Sequence, residues 1–351
     1  MKKKMVKKVL AATLSMVVAG SMMAGCGSNK DENKVTSESD ASEGKEEAAV
    51  NPDGTATEET YNIGVLQYMP HPALDTSSEG FFAALDELGI KYKADKQNAA
   101  GEVSTCQTIA ETLVNSNNDL IFAIATPAAQ ALASATSEIP IVLTAVTDPA
   151  DAGLVASNEA PGGNVTGSSD LTPVKEQIAL VKKLFPEAKK VGLLYCSSEA
   201  NSVFQINMAK EACEAEGLEY EDLTVSSSNE IQTVVESAVG NVDVLYSPTD
   251  NIVANNMATV SMVANENKLP MICGEEGMVD SGGLITYGID YYQVGYLAGE
   301  MAAKILTGES QPADMPVEYL DASKCSLKIN EETAATLGLN VEELKAAAEA
   351  K

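Results

Sequence analysis

Residues Val242–Asn251 read "VDVLYSPTDN". The apolar run Val244-Leu245-Tyr246 is short and is cut off by Ser247-Pro248. Thr249-Asp250-Asn251 then precedes sequence of helical character, so the stretch reads as a buried strand that delivers an acid to a helix start. The phrase has an earlier counterpart. Asp119 opens "DLIFAIAT" as Asp243 opens "DVLYSPTD", 124 residues later. Gly64-Val65-Leu66 is echoed by Gly192-Leu193-Leu194, Gly89 by Gly217 and Glu102 by Glu230, each at a spacing of 128. Four matches in one order indicate two lobes of one topology. In that register Thr126 and Asp250 are equivalent, each where a strand leaves its sheet and a helix begins.

The elements around these anchors alternate. "YNIGVLQY" and "IKYKADKQ" read as strands, Pro72 to Leu88 and Glu102 to Asn115 as helices, and "DLIFAIA" and "IPIVLTAV" as buried strands. The expected fold is α/β: two doubly wound, Rossmann-like lobes joined by three crossing segments. Those segments are "NVTGSSD" (Asn164–Asp170), "GLITYGID" (Gly283–Asp290) and "MPVEYLDASKCSLKIN" after the helical run ending at Leu306. Lobe 1 is expected at 61–167 plus 287–314 and lobe 2 at 168–286 plus 315–351. Alanine-rich helices at Glu331–Leu337 and Val341–Ala350 are expected to pack on one lobe.

The first sixty residues are of another kind. "MKKKMVKKVLAATLSMVVAGSMMAGC" runs from lysines through an apolar stretch too short to span a bilayer comfortably, to small residues and Cys26. It resembles a bacterial lipoprotein signal, with Met23 where leucine is commonest. That resemblance implies a signal peptide at 1–25 and a lipid anchor on Cys26, holding the exported chain at the outer face of the cell membrane. Residues 26–60 are polar and acidic and bury too little to fold, so they read as a disordered tether. The formal net charge of −28 becomes −33 when residues 1–25, with five lysines and no acid, are removed. A phosphate backbone would repel such a chain, and no nucleic-acid partner is expected. The other cysteines, Cys106, Cys196, Cys213, Cys273 and Cys325, have no metal-ligand spacing and read as small buried hydrophobes.

Lipobox, tether and paired lobes together resemble the substrate-binding lipoproteins of ABC transporters. "GVLQYMPHPALD", "ATPAAQALA", "VTDP", "GGNVTGSSD" and "YSPTDN" are similar to the type I periplasmic-binding-protein family that includes tryptophan- and tyrosine-binding members. The resemblance covers about Tyr61 to Lys351. It implies a monomer without cofactor or metal that takes a small ligand, an amino acid or relative, in the interlobe cleft. It also implies hinge closure, and delivery to an ABC permease and its ATPase.

The chain contains no arginine, so a guanidinium clamp for a ligand carboxylate is impossible. A helix start is the remaining device: Thr126 with the amides of Ala128 and Ala129. Asp250 would hold an ammonium from the other lobe, flanked by Thr249 and Asn251, although helix capping explains an acid there equally well. Gln67 and Tyr68 end the first strand, and Ser168, Ser169 and Asp170 sit at the first crossing. Gly274 and Glu275 follow "LPMIC", where Glu275 also suits a helix start, and Tyr287 lies at the second crossing. His71, the single histidine, reads as a loop or capping residue. No H-E-x-x-H, G-x-S-x-G or P-loop is present, so no enzyme is expected. The rival readings are a sugar or nucleoside receptor of the same fold, a ligand sensor for a membrane receptor, and a carboxylate hydrolase.

Overall fold

The computed structural model describes residues 59–321 and 324–350. The expected export signal, Cys26 and the expected tether up to Glu58 lie outside the described residues. Lobe 1 opens with β1 (Thr60–Gln67), α1 (Pro72–Glu87), β2 (Lys91–Asn98), α2 (Val103–Val114), β3 (Leu120–Ile124), α3 (Thr126–Ala135), β4 (Ile141–Thr144) and β5 (Val165–Ser169). Lobe 2 follows with α4 (Val174–Leu184), β6 (Lys190–Cys196), α5 (Ala200–Ala215), β7 (Glu219–Val225), α6 (Ile231–Ala238), β8 (Val244–Ser247), α7 (Asn251–Asn255), α8 (Met257–Glu266), β9 (Met271–Cys273), α9 (Glu276–Asp280) and β10 (Ile285–Gly288). The chain returns to lobe 1 for α10 (Tyr291–Leu306) and β11 (Glu318–Tyr319). It ends in lobe 2 with β12 (Ser326–Ile329), α11 (Glu331–Leu337) and α12 (Val341–Glu349).

The two sheets match position by position: β2-β1-β3-β4-β5-β11 in lobe 1 and β7-β6-β8-β9-β10-β12 in lobe 2. All pairings are parallel except β10 with β12. The repeated residues do equivalent work. Asp119 accepts the Asn62 amide and Asp243 accepts the Lys190 amide, each tying the strand behind it to the sheet. Gly89 and Gly217 both take a left-handed backbone, with φ of 73° and 66°, where a helix must turn into a strand.

Each lobe is closed by helices over a core of aliphatic residues and alanine, with few aromatics. Phe81 of α1 stacks on Phe122 of β3 with ring centroids 3.7 Å apart. Helix α10 lies along α1 so closely that a Cβ on Gly295 would stand 1.8 Å from the Ser77 carbonyl oxygen. That contact fixes Tyr291, the first residue of α10, beside the loop that begins α1. Helices α11 and α12 pack on lobe 2, against α8 and α4.

Strand pairing moves the lobe boundaries from where the sequence put them. Ser168 and Ser169 belong to β5 of lobe 1, paired with Glu318 and Tyr319 of β11. Residues 315–319 therefore stay in lobe 1, and Tyr287 with Gly288 stays in lobe 2. The crossings come after Ser169, after Gly288 and between β11 and β12, because backbone pairing carries each strand past the apparent end of its apolar run. Of the five cysteines in the described part, all are free, and only Cys325 is incompletely buried. No helix among the described residues is long and apolar enough to cross a membrane.

Candidate functional site

The strand order reverses between β1 and β3 in one lobe and between β6 and β8 in the other, and the two switch points face each other. Five loops meet there: Tyr68–His71 after β1, Ala145–Thr147 after β4, Ser197–Glu199 after β6, Pro248–Asp250 after β8 and Gly274–Glu275 after β9. With the crossing residues Asp170 and Tyr291 they enclose a cavity of about 10 Å³, room for the centre of about one water molecule. His71, Asp170, Asn201, Asp250, Glu275 and Tyr291 carry its chemistry. The lobes also touch directly. His71 Nε2 lies 3.2 Å from Asn251 Oδ1, the hydroxyls of Thr147 and Thr249 lie 3.4 Å apart, and Gln205 Nε2 donates to Thr147 Oγ1 at 3.3 Å.

The electrostatics of this cavity are one-sided. Asp170, Asp250 and Glu275 line it, each no more than 4% exposed, and Glu199 lies directly behind. None of the four takes part in an ion pair among the described residues, where the ion pairs are those of Lys190, Lys210, Lys328 and Lys345. Hydrogen bonds compensate in part. Asp170 accepts from Thr147 and Tyr291, and Glu199 accepts from the amides of Asn251 and Ile252 and the side chains of Asn201 and Asn251. Burial still pushes every one of these carboxyls above its ordinary range. Glu275 is pushed up to about 7 by burial, against the amides of Gly277 and Met278 and with Asp280 and Asp170 adding to the rise. The Glu199–Asp250 pair rises for the same reason, with mutual repulsion raising Glu199 further.

Asp250 has two jobs within lobe 2. Its Oδ1 caps α7 by accepting the Val253 amide, and its Oδ2 accepts the Cys196 amide and the Ser202 hydroxyl. Glu275 likewise caps α9. Capping therefore accounts for the position of both acids, and both also line the cavity.

Asp170, Thr249, Asp250, Asn251 and Glu275 thus come together at the cavity, and the other expected residues do not. Gln67 donates to Met69 O and Asp75 at the start of α1. Tyr68 lines a separate cleft cavity of about 300 Å³ with Gly101, Ser198 and Asn256. Ser168 donates to the Val294 carbonyl and Ser169 to the Thr147 carbonyl, so both brace the hinge. Gly274 is required by the adjacent chain: a Cβ there would lie 2.2 Å from the Pro248 carbonyl carbon. Tyr287 points away from the cleft and donates to Ala348 of α12. Thr126 does not line the central cavity, but its buried hydroxyl has no partner. The Ala129 amide is not free, because it donates to Ala125 O and closes the first turn of α3.

Sequence reasoning missed Tyr291, Asn201 and Glu199 and undervalued His71. One signal was available: His71 and Glu199 are 128 residues apart and stand at the equivalent positions before helices α1 and α5, neither with a side-chain capping bond.

A family model described as ABC transporter substrate binding protein matches residues 62–351. The chain belongs to this family. As a substrate-binding protein it takes a small molecule outside the cytoplasm and has an ABC transporter as partner. It is 42% identical over 337 residues to a tyrosine-binding protein of Clostridioides difficile, an alignment covering 95% of this chain and 93% of the relative. It also resembles the ABC domain in complex with L-Trp from Streptococcus pneumonia, with TM-score 0.78 and 39% identity, covering 82% of this substrate-binding protein and 98% of that chain. The ligand-free, open structure of a substrate-binding protein with adhesive properties from Clostridium difficile is 44% identical, with TM-score 0.62, covering 80% and 95%.

Proposed function

We propose that this substrate-binding protein captures an α-amino acid, an aromatic one, by its ammonium group and hands it to an ABC permease. The supporting observation is the cluster of Asp170, Asp250, Glu275 and Glu199, buried at the cleft without a protein cation. Burying carboxylates unpaired is costly, and a ligand that brings a positive charge offsets the cost only when the lobes are together. The tyrosine-binding relative and the L-Trp complex support the amino-acid class. The ligand carboxylate is assigned to the start of α3, where the Thr126 hydroxyl has no protein partner. Tyrosine and tryptophan are larger than the central cavity, so they enter with the lobes parted.

Mass spectrometry of ligand released from purified protein identifies the cargo. Calorimetric titration then compares L-tyrosine and L-tryptophan with their N-acetyl forms, which keep the ring and carboxylate and lack the charge. The free amino acid should bind and the N-acetyl form should be at least about tenfold weaker, a difference of ~1.4 kcal/mol. Equal affinities would overturn the ammonium reading. The lipid anchor at Cys26 belongs to the same proposal. Cys26→Ala should abolish fatty-acid labelling and release the protein from membranes, and retained labelling would place the anchor elsewhere.

A further inference from the structure

The cavity wall contains two neutral groups that the carboxylate cluster does not explain. His71, from lobe 1, is 7% exposed, and its Nδ1 has no partner; Asn201, from lobe 2, is 6% exposed, and its Oδ1 has none. The neighbours of each fix which atom is bare. Asn251 Nδ2 donates to Glu199 Oε2 at 2.6 Å, so the amide oxygen of Asn251 is the atom turned to His71. His71 Nε2 must therefore carry the proton and donate, which leaves Nδ1 of the neutral ring as an unprotonated acceptor. Burial also lowers the tendency of this ring to charge, against the bond to Asn251 and the charge of Asp75. Asn201 is oriented by the same logic. Its Nδ2 faces Glu199 Oε2, the Ser202 hydroxyl and the Thr249 carbonyl. A flipped amide would set oxygen against two acceptors, so Oδ1 is the atom left without a donor.

We propose that His71 Nδ1 and Asn201 Oδ1 are specificity acceptors, one from each lobe, that each take an N–H of the ligand and so select a primary ammonium. This rests on the ammonium reading above and goes beyond it, because charge and hydrogen-bond count are separable demands. The carboxylate cluster would attract any cation, including a quaternary one. Two bare buried acceptors need hydrogen-bond donors, which a quaternary ammonium lacks, and leaving them unmatched costs affinity. A primary ammonium has three donors, enough for both acceptors and one carboxylate. The pair spans the cleft, so it is complete only when the lobes meet.

The chain has one histidine, which makes a direct measurement possible. Protein labelled with 15N-histidine and saturated with L-tyrosine, or with L-tryptophan if that is the retained cargo, should show a neutral ring protonated at Nε2 at pH 7, because Asn251 reaches the ring only when the lobes are together. An Nδ1-protonated ring or an imidazolium would overturn the proposal. Relative to ligand-free protein, the Nδ1 resonance should move toward its hydrogen-bonded value. An unmoved Nδ1 resonance would overturn the role of His71, whatever the affinities. N,N,N-trimethyl-L-tyrosine, which keeps the charge and has no N–H, should bind at least about a hundredfold more weakly than L-tyrosine. If it binds equally while N-acetyl-L-tyrosine does not, the acceptor proposal falls and the ammonium reading stands. If N-acetyl-L-tyrosine binds as well as L-tyrosine, the ammonium reading itself falls.

Discussion

Asp250 shows how one side chain serves fold and site together. Its three hydrogen bonds hold the β6 end, α5 and α7 in one arrangement, and its charge lines the cavity. Asparagine has one acceptor oxygen, so Asp250→Asn leaves either the Val253 or the Cys196 amide facing an NH2 group. An unmatched buried donor costs about 1–3 kcal/mol, so the variant should melt at lower temperature. Loss of a charge that faces a buried ammonium costs more, about 2–5 kcal/mol, which is roughly 30- to several thousand-fold in affinity. The two effects separate in a cycle of native and variant protein against L-tyrosine and its N-acetyl form. If Asp250 engages the ammonium, discrimination between the two ligands should shrink at least about tenfold in the variant. Undiminished discrimination would leave Asp250 a cap alone. Its place was legible because the strand-end register needs only the repeat. Asn201 was not, because "SSEANS" reads as an ordinary helix start and its bare oxygen exists only once Glu199 and Thr249 have taken its amide.

Elements were more legible than their ends. The periodicities of α1, α2, β3 and β4 place those elements because burial on one face or both is written into local sequence. Strand ends depend on partners distant in sequence. Glu318 and Tyr319 extend β5 to Ser169, which moves Ser168 and Ser169 from the cleft into the sheet. Tyr287 pairs with Leu327 across the antiparallel edge of lobe 2, so its ring lies on the outer side against α12. Ala125, before α3, has φ of 80°. Alanine rarely adopts that backbone, and no local signal announces it. Helix α10 illustrates the reverse case. Its small residues, Gly295 and Gly299, look like interior breaks in a helix and are the means of its close approach to α1.

At the scale of the whole molecule, the cavity chemistry implies a closure that depends on charge. The chain is structurally more similar to the L-Trp complex, TM-score 0.78, than to the open, ligand-free relative, TM-score 0.62, although the latter is more identical in sequence. A change in lobe separation with conserved lobes accounts for that inversion. Burial in this structure raises the Glu275 carboxyl to about 7, and opening the cleft is expected to return the group to water and toward its ordinary range. The closed form therefore binds more protons between that range and about 7. Its advantage is present at low pH and is lost as pH rises through about 7. A ligand ammonium supplies the missing positive charge and removes the dependence. Small-angle scattering of ligand-free protein should accordingly show a smaller radius of gyration at pH 5.5 than at pH 8. Protein saturated with its amino acid should be compact at both. Profiles that respond to neither pH nor demonstrated saturation would rule out this charge-gated closure. Profiles that respond to ligand alone would keep the hinge and remove Glu275 from its control.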